Sequence, residues 1–397
     1  MMNSEQIKRA DERFVMHTYG RFPVAITSGK GARVYSPEGR EYIDFTSGIG
    51  VCSVGYGNER WAKAVYDQAL KLAHISNLFY TEPCTKLAER LCAKSGMTRV
   101  FFSNSGAESN EGAIKLARKY SFDKYGEGRS DIVTLRNSFH GRTVTTLAAT
   151  GQDHFHDFFY PFTEGFRYVE ANDYAAMEAA AGDGVCAVMM ELVQGEGGVL
   201  PLDREYVSQV AALCRERDLL LIIDEVQTGI GRTGTFFAFL DYGIRPDVVT
   251  TAKGIAGGLP LGAVLAGDRC ADVLGAGSHA TTFGANPICT RAALEVFDIL
   301  EEEALSHVAE KGRYMREKIL AMKLPQVSEV RGKGLMLGVA VPKGAHKPLV
   351  AKLIDAGLLA ITAGADAIRF LPPLTITYEE IDAGLAIFES VLRENIE

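Results

Sequence analysis

The chain has 397 residues, 47% of them hydrophobic and 23% charged, with a formal net charge of −8 at pH 7. That length is too great for one ordinary core and points to about two to three domains, and the composition excludes a disordered chain in favour of a soluble globular enzyme. The acidic balance supplies no basic field for nucleic acid, which leaves small-molecule chemistry as the better reading.

Seven cysteines (Cys52, Cys84, Cys92, Cys186, Cys214, Cys270 and Cys289) are scattered without a Cys-x-x-Cys pair. The odd count argues against a disulfide framework and a structural zinc site, and for free thiols in a reducing compartment. Met1-Met2-Asn3-Ser4-Glu5-Gln6 contains no apolar signal region, and no run approaches membrane-spanning length. The expectation is a cytoplasmic protein with no membrane and no nucleic-acid partner.

In chain order, the first predicted unit is a hairpin, with strands at 32–35 and 41–45 around the turn Ser36-Pro37-Glu38-Gly39. From about residue 85 to 290, β-like runs alternate with amphipathic stretches. Strands are expected at 99–103, 131–135, 185–190, 219–223, 247–251 and 263–266, with helices such as 107–120 and 206–217 between them. This alternation predicts an α/β domain with a mostly parallel sheet. Helical periodicity covers 290–322, and β-like runs follow at 327–330, 334–341 and 368–371, which reads as a smaller α+β unit. The expected division is 1–50, packing with the small domain, 51–290 as the large cofactor-binding domain, and 291–397 as the small domain.

Two runs carry the chemistry. Leu219-Leu220-Leu221-Ile222-Ile223 ends in Asp224, and Val248-Val249-Thr250-Thr251-Ala252 leads to Lys253. An acid at the carboxyl edge of one buried strand and a lysine at the end of another are what a pyridoxal phosphate enzyme needs. The amine holds the aldehyde, and the acid keeps the pyridine nitrogen protonated because an opposite charge favours the charged form. Taken alone, each has a plainer reading that is preferred: Asp224 as an acid that caps a following helix or pairs on the surface, and Lys253 as a solvated loop residue. The glycine-rich Gly254-Ile255-Ala256-Gly257-Gly258 that follows allows close backbone approach to a bound group.

Ser103-Asn104-Ser105-Gly106-Ala107-Glu108 runs from a strand into a helix, and Ser105 with Glu108 fits a capping box. The free N–H groups at such a helix start form an anion site; a cap with no phosphate is the plain alternative. Phe139-His140-Gly141-Arg142 follows another strand, so that Phe139 can lie on the cofactor ring and Arg142 can pair with a substrate carboxylate. Arg369, inside Ala367-Ile368-Arg369-Phe370-Leu371, needs a partner or a ligand, and Glu196 in Gln194-Gly195-Glu196-Gly197-Gly198 is a candidate partner. For each arginine, a structural ion pair is the alternative.

Two further patterns compete. Gly229-Ile230-Gly231-Arg232-Thr233-Gly234 matches a dinucleotide fingerprint, but residues intervene between the strand and the first glycine and no helix pattern opens after it. His154 and His156, in Asp153-His154-Phe155-His156-Asp157, have metal-ligand character without an accompanying cluster, so they read as a polar loop and no metal is expected.

The ordered set Ser105-Gly106-Ala107-Glu108, Phe139-His140-Gly141-Arg142, Gln194-Gly195-Glu196-Gly197-Gly198, Asp224-Glu225-Val226-Gln227, Ala252-Lys253 and Thr281-Thr282-Phe283-Gly284-Ala285-Asn286-Pro287 resembles the class III aminotransferases. The resemblance runs from Tyr19 to the carboxyl terminus, and within the class it is strongest to the branch acting on N-acetylornithine. It implies an α/β, fold type I homodimer with its active site at the subunit interface. The large, mostly parallel sheet would carry helices on both faces, beside a smaller α+β domain formed by the chain ends. It also implies pyridoxal 5'-phosphate as cofactor, Lys253 as the Schiff-base lysine, Asp224 as the ring-nitrogen partner, and Gln227 near the phenolic oxygen, with Glu225 and Val226 in the same cofactor-binding run. Gly106 and Ala107 would hold the phosphate together with the partner subunit's Thr282, and Phe139 would stack on the ring.

By the same resemblance, Arg142 would bind the α-carboxylate of N-acetylornithine or the distal carboxylate of glutamate. Arg369 would bind the α-carboxylate of glutamate, masked by Glu196 while the diamine is present, and Thr281 and Tyr19 would lie near the substrate. The implied reaction is a ping-pong transfer from N-acetylornithine to 2-oxoglutarate in arginine biosynthesis. Ala107 stands where threonine is common, Gly55-Tyr56-Gly57-Asn58-Glu59 replaces Gly-His-x-His-Pro, and Phe283 and Ala285 replace tyrosine and glycine. These departures touch the substrate more than the chemistry. Ile49, where the ornithine enzymes resemble one another in having tyrosine, points away from free ornithine. The rivals are other ω-aminotransferases (ornithine, 4-aminobutyrate or succinylated amines), an aminomutase of the glutamate-1-semialdehyde type, and, most distantly, a nicotinamide oxidoreductase using 229–234.

Overall fold

The computed structural model describes residues 2–394. Its main sheet has seven strands in the spatial order Arg99–Ser103, Gly262–Ala266, Val248–Thr251, Leu220–Asp224, Val185–Met190, Asp131–Leu135 and Phe166–Val169. Neighbours from Val248–Thr251 to Phe166–Val169 are parallel, and Gly262–Ala266 runs against both of its neighbours. Alternate side chains serve opposite faces. Met189 and Ile222 pack with Ala113, Ile114 and Ala117 of the helix Gly106–Tyr125, whereas Val188, Leu221 and Ile223 pack with Val207 and Val210 of the helix Arg204–Glu216. A sheet covered on both faces needs unbroken apolar strands, which is why these strands were readable as runs.

Every strand expected in this sheet is present, with ends moved by a residue at most. Phe166–Val169 was not anticipated. It lies at the sheet edge, three of its four residues are only half-buried, and Arg167 interrupts any apolar run.

The chain ends build two smaller sheets. Ser28–Lys30, Arg33–Tyr35 and Glu41–Asp44 form an antiparallel set that Leu358–Leu359 extends in parallel. Ser36 Oγ accepts from the N–H groups of Glu38 and Arg40, each at 3.2 Å, which fixes the predicted hairpin turn. Glu329–Lys333, Met336–Ala340, Ala367–Phe370 and Ile361–Ala363 form the second sheet, antiparallel throughout. Leu371 N–H donates to Phe45 O at 2.6 Å and Leu374 N–H to Ser53 O at 2.8 Å, so the two ends are tied beside the main sheet.

The helical stretch expected at 290–322 is two helices, Pro287–Ile299 and Leu305–Ala321, joined through a wider π-turn at Leu300–Ala304. Three successive glutamates occupy that turn and reach basic side chains: Glu301 meets Arg90 and Lys94 at 3.0 Å each, Glu302 meets Arg60 at 2.8 Å and Glu303 meets Arg60 at 2.9 Å. Among the described residues no helix is long and apolar enough to cross a membrane.

Candidate active site

Parallel strands bring their carboxyl ends to one edge of the sheet, and a cavity of about 420 Å³ opens there. Asp224, the last residue of its strand, lies in the cavity floor and is 3% exposed. Its carboxylate is held from several sides. Asn110 Nδ2 donates to Oδ2 at 2.8 Å, His140 Nδ1 lies 2.8 Å from the same oxygen, and Val226 N–H donates to Oδ1 at 2.9 Å. Asn110 also donates to His140 O at 2.7 Å, which joins helix, loop and strand in one buried network.

Lys253 lines the same cavity just beyond Val248–Thr251. Its backbone has φ 46°, the left-handed region, a strained conformation for a long side chain and one that concentrates at functional sites. Ser53 Oγ donates to Gly254 O at 2.7 Å and steadies the turn. Burial of the amine holds its pKa below the usual lysine range, while the charges of Glu196, Asp224 and Glu191 work in the opposite direction.

At the cavity's other end, Ser105 caps the helix Gly106–Tyr125 by accepting from Glu108 N–H at 3.2 Å. The expected capping box is displaced by one residue, because Glu108 reaches back to Asn104 N–H at 2.8 Å. Gly106 and Ala107 line the cavity, and first-turn N–H groups have no acceptor within their own helix. A Cβ on Gly106 would stand 2.7 Å from Val226 Cγ1, so only glycine leaves this end of the cavity open. An anion cradle, an aromatic wall at Phe139, a buried acid and a lysine of lowered basicity fit pyridoxal phosphate.

The two arginines differ. Arg142 lines the cavity, is exposed, and has no carboxylate partner among the described residues; its guanidinium lies over the rings of Phe155 and Phe139, 3.8 and 5.6 Å from their centroids. Arg369 is buried in its strand, and its Nη1 donates to Glu196 Oε1 at 2.8 Å and to Gln227 Oε1 at 3.1 Å. Burial works to raise the Glu196 pKa, yet the adjoining Arg369 cation overcomes this and holds the carboxylate below its ordinary value. Gln227 is crowded against Gly195, where a Cβ would come within 2.4 Å of its amide.

Not every expected residue reaches the cavity. Glu225 faces away from it: the fully buried carboxylate accepts from Phe239 N–H at 2.8 Å and from the Thr228 hydroxyl, and burial pushes its pKa up to about 7. Strand alternation explains the correction, since neighbours of Asp224 turn to the opposite side. Thr281 Oγ1 accepts from Asn104 Nδ2 at 3.0 Å at the cavity's edge, whereas Thr282 and Tyr19 are exposed and outside its lining. Conversely, Asn110 and Glu191 line the cavity without having been anticipated, and Glu191 Oε2 accepts from Phe139 N–H at 3.0 Å. Glu191 follows the apolar strand Val185–Met190 as directly as Asp224 ends its own, which is the signal that marks it.

The competing patterns are structural. In 229–234, buried Arg232 donates to Leu335 O at 3.0 Å and Pro372 O at 2.5 Å, linking this turn to the small sheet. His156 Nε2 lies 2.9 Å from Leu147 O, and among the described residues no group of His, Cys, Asp and Glu gathers as a metal site. All seven cysteines are free.

Residues 14–392 match the family model described as aminotransferase class-III. The chain belongs to the class III aminotransferases. As such it is a pyridoxal phosphate-dependent transaminase. This class III aminotransferase is 50% identical over 395 residues to the acetylornithine aminotransferase of Haemophilus ducreyi, covering 99% of this chain and 100% of that one. It is 46% identical over 387 residues to that of Caldanaerobacter subterraneus, with 97% and 98% covered. Among solved structures, the ornithine aminotransferase of Toxoplasma gondii superposes with a TM-score of 0.95 at 32% identity, covering 100% of this chain and 96% of that one. The N-acetylornithine aminotransferase of Stenotrophomonas maltophilia does so with a TM-score of 0.84 at 36% identity, covering 98% and 99%.

Proposed function

We propose that this class III aminotransferase moves the terminal amino group of N-acetylornithine to 2-oxoglutarate, giving N-acetylglutamate semialdehyde and glutamate, as a step of arginine synthesis in the cytoplasm. The observation that carries this reading is the inequality of the arginines. Arg142 is unpaired at the cavity wall, and Arg369 is buried and held by Glu196. A donor with one carboxylate and a neutral acyl end needs only the first, whereas glutamate, with two carboxylates, needs both. The relatives named for N-acetylornithine support the same substrate.

When bound, pyridoxal phosphate supplies an aldehyde for the amino group and a ring that accepts the electron pair left as the substrate hydrogen departs. Gly106 and Ala107 would hold its phosphate through N–H groups, Phe139, Val226 and Gln227 would seat the ring, and Asp224 would hold the proton on the ring nitrogen. Asn110 and His140 orient Asp224, and Leu259, Pro260, Leu261 and Val51 give the cavity an apolar wall. Lys253 Nζ moves the proton at the substrate carbon; its lowered basicity brings the free amine closer to neutral pH.

A second copy would complete the site by bringing the partner subunit's Thr282 to the phosphate and placing Tyr19 and Thr281 near the substrate. The support is an apolar patch around that loop. Asn77 Nδ2 donates to Thr281 O at 3.2 Å and Gly284 O at 2.9 Å, and beside it Leu78, Phe79, Tyr80 and Phe283 stand exposed. The division at 1–50, 51–290 and 291–397 belongs to the same reading.

The test is a single turnover on the purified protein loaded with pyridoxal phosphate and without 2-oxoglutarate. Rapid loss of the bound cofactor's visible absorbance with N-acetylornithine, and not with ornithine, is expected. Equal loss with ornithine moves the substrate to the free diamine, and the absence of a visible band after the cofactor is supplied overturns the reading.

A further inference from the structure

The segment Asp153-His154-Phe155-His156-Asp157 takes no part in the function derived so far, yet its central residue touches the site. Phe155 lies at the end of the 3-10 turn Asp153–Phe155, with its ring 3.8 Å from the Arg142 guanidinium carbon and 6.0 Å from the Phe139 ring in an edge-on arrangement. Local contacts fix it there. Gln152 Nε2 donates to Ser138 O at 2.9 Å, Phe155 N–H donates to Gln152 O at 3.1 Å, and the His154 ring packs 3.9 Å from the Phe155 ring. His156, anchored against Leu147 O, closes the segment.

A guanidinium can be held in place in two ways. A carboxylate holds it by its N–H groups and must be displaced before a substrate carboxylate can bind, as Glu196 holds Arg369. An aromatic face holds it by its π surface and leaves the N–H edge free. Arg142 is held in the second way, by Phe155 and Phe139; no protein carboxylate forms a direct ion pair with it among the described residues, and the charge of Glu196 reaches it only at longer range. Phe155 itself lines a second cavity of about 830 Å³ that Glu196 also borders, so the Arg142–Phe155 stack forms part of the partition between the two hollows.

We propose that Phe155 is a positioning residue that aims Arg142 at the substrate carboxylate by cation–π stacking, and so makes Arg142 a carboxylate receptor that is always open beside the masked Arg369. This rests on the reading that Arg142 receives that carboxylate. Phe155 touches neither the reacting carbon nor the lysine, so its effect belongs in binding and not in the chemical step.

The experiment compares Phe155→Leu, which removes the π face at similar size, with Phe155→Tyr, which keeps it, in the holoenzyme. Three ligands separate the effects: N-acetylornithine, the N-acetylated diamine of the same length lacking the carboxylate, and glutarate, whose affinity is read by calorimetry. Phe155→Leu is expected to raise KM for N-acetylornithine and to weaken glutarate by roughly five- to tenfold, with kcat changed by less than about twofold. Phe155→Tyr stays near wild type, the diamine is indifferent to either change, and Phe155→Leu adds nothing in an Arg142→Ala background. Unchanged KM and glutarate affinity in Phe155→Leu, an equal loss with the diamine, or a full additive loss in Arg142→Ala overturns the proposal. If Arg142→Ala alone leaves N-acetylornithine binding unchanged, the reading of Arg142 falls and this proposal falls with it.

Discussion

Arg369 Nη1 lies 2.8 Å from Glu196 Oε1, and the two side chains are unequally buried, 3% exposed for the arginine and 28% for the glutamate. The arginine is fixed in a strand, so the glutamate is the partner with room to leave. Glu196→Gln removes the charge that satisfies Arg369 and leaves a buried cation seeking a carboxylate. The expected result is a shift of kcat/KM toward glutamate over N-acetylornithine by about tenfold or more. Steady-state kinetics with each amino donor check it, and an unchanged ratio rejects Glu196 as the mask.

Asn110 offers a test of how Asp224 is held. Its amide bridges Asp224 Oδ2 and His140 O at 2.8 and 2.7 Å inside the protein. Asn110→Ala deletes a hydrogen bond to a buried carboxylate, an effect on the order of 1.5–3 kcal/mol. Titration of the apoprotein with pyridoxal phosphate should show affinity weaker by roughly tenfold or more; wild-type affinity would separate Asn110 from the cofactor site.

Lys253 gives a pH signature. Burial depresses its folded pKa below the value of 10.5 that the unfolded chain has. Between the two values the unfolded state binds the extra proton, so apoprotein stability rises with pH across that window. Lys253→Met removes the effect. Urea denaturation of both apoproteins from pH 7 to 10.5 should show the wild type gaining on the variant, and parallel curves would contradict a depressed amine.

Glu225 predicts the opposite slope. Its folded pKa is raised by burial from 4.5 to about 7. The folded state therefore binds the extra proton, and the associated stability is complete below pH 4.5 and lost as pH rises through about 7. Glu225→Gln, which keeps an oxygen for Phe239 N–H, should flatten that decline in denaturation curves at pH 5, 6 and 7.5.

The site was legible where chemistry sits at the end of an apolar run. Asp224 and Lys253 could be found because buried parallel strands exclude charge until the strand ends. Glu191 obeys the same rule after Val185–Met190 and was open to the same argument. Asn110 was not legible, because it lies within a helix, past its capped first turn, and meets Asp224 only when the helix Gly106–Tyr125 packs across the sheet. Glu225 was misread by its adjacency to Asp224, since one step along an extended chain reverses the side chain. The His154–His156 pair drew attention to a segment whose contact with the site is made by Phe155.

By itself the sequence determined the alternation of strands and helices, the hairpin near the amino end, and the residue types able to serve pyridoxal phosphate chemistry. Those features are local, because apolar period, turn residues and charges at strand ends are written over a few positions. The tertiary structure alone decided which charges meet. It set Glu196 against Arg369 across 173 positions, left Arg142 on aromatic faces, turned Glu225 into the core, and divided the helical stretch expected at 290–322 at a run of glutamates. Such pairings depend on packing between elements distant in the chain, where burial forces every charge to find a partner or remain open for one.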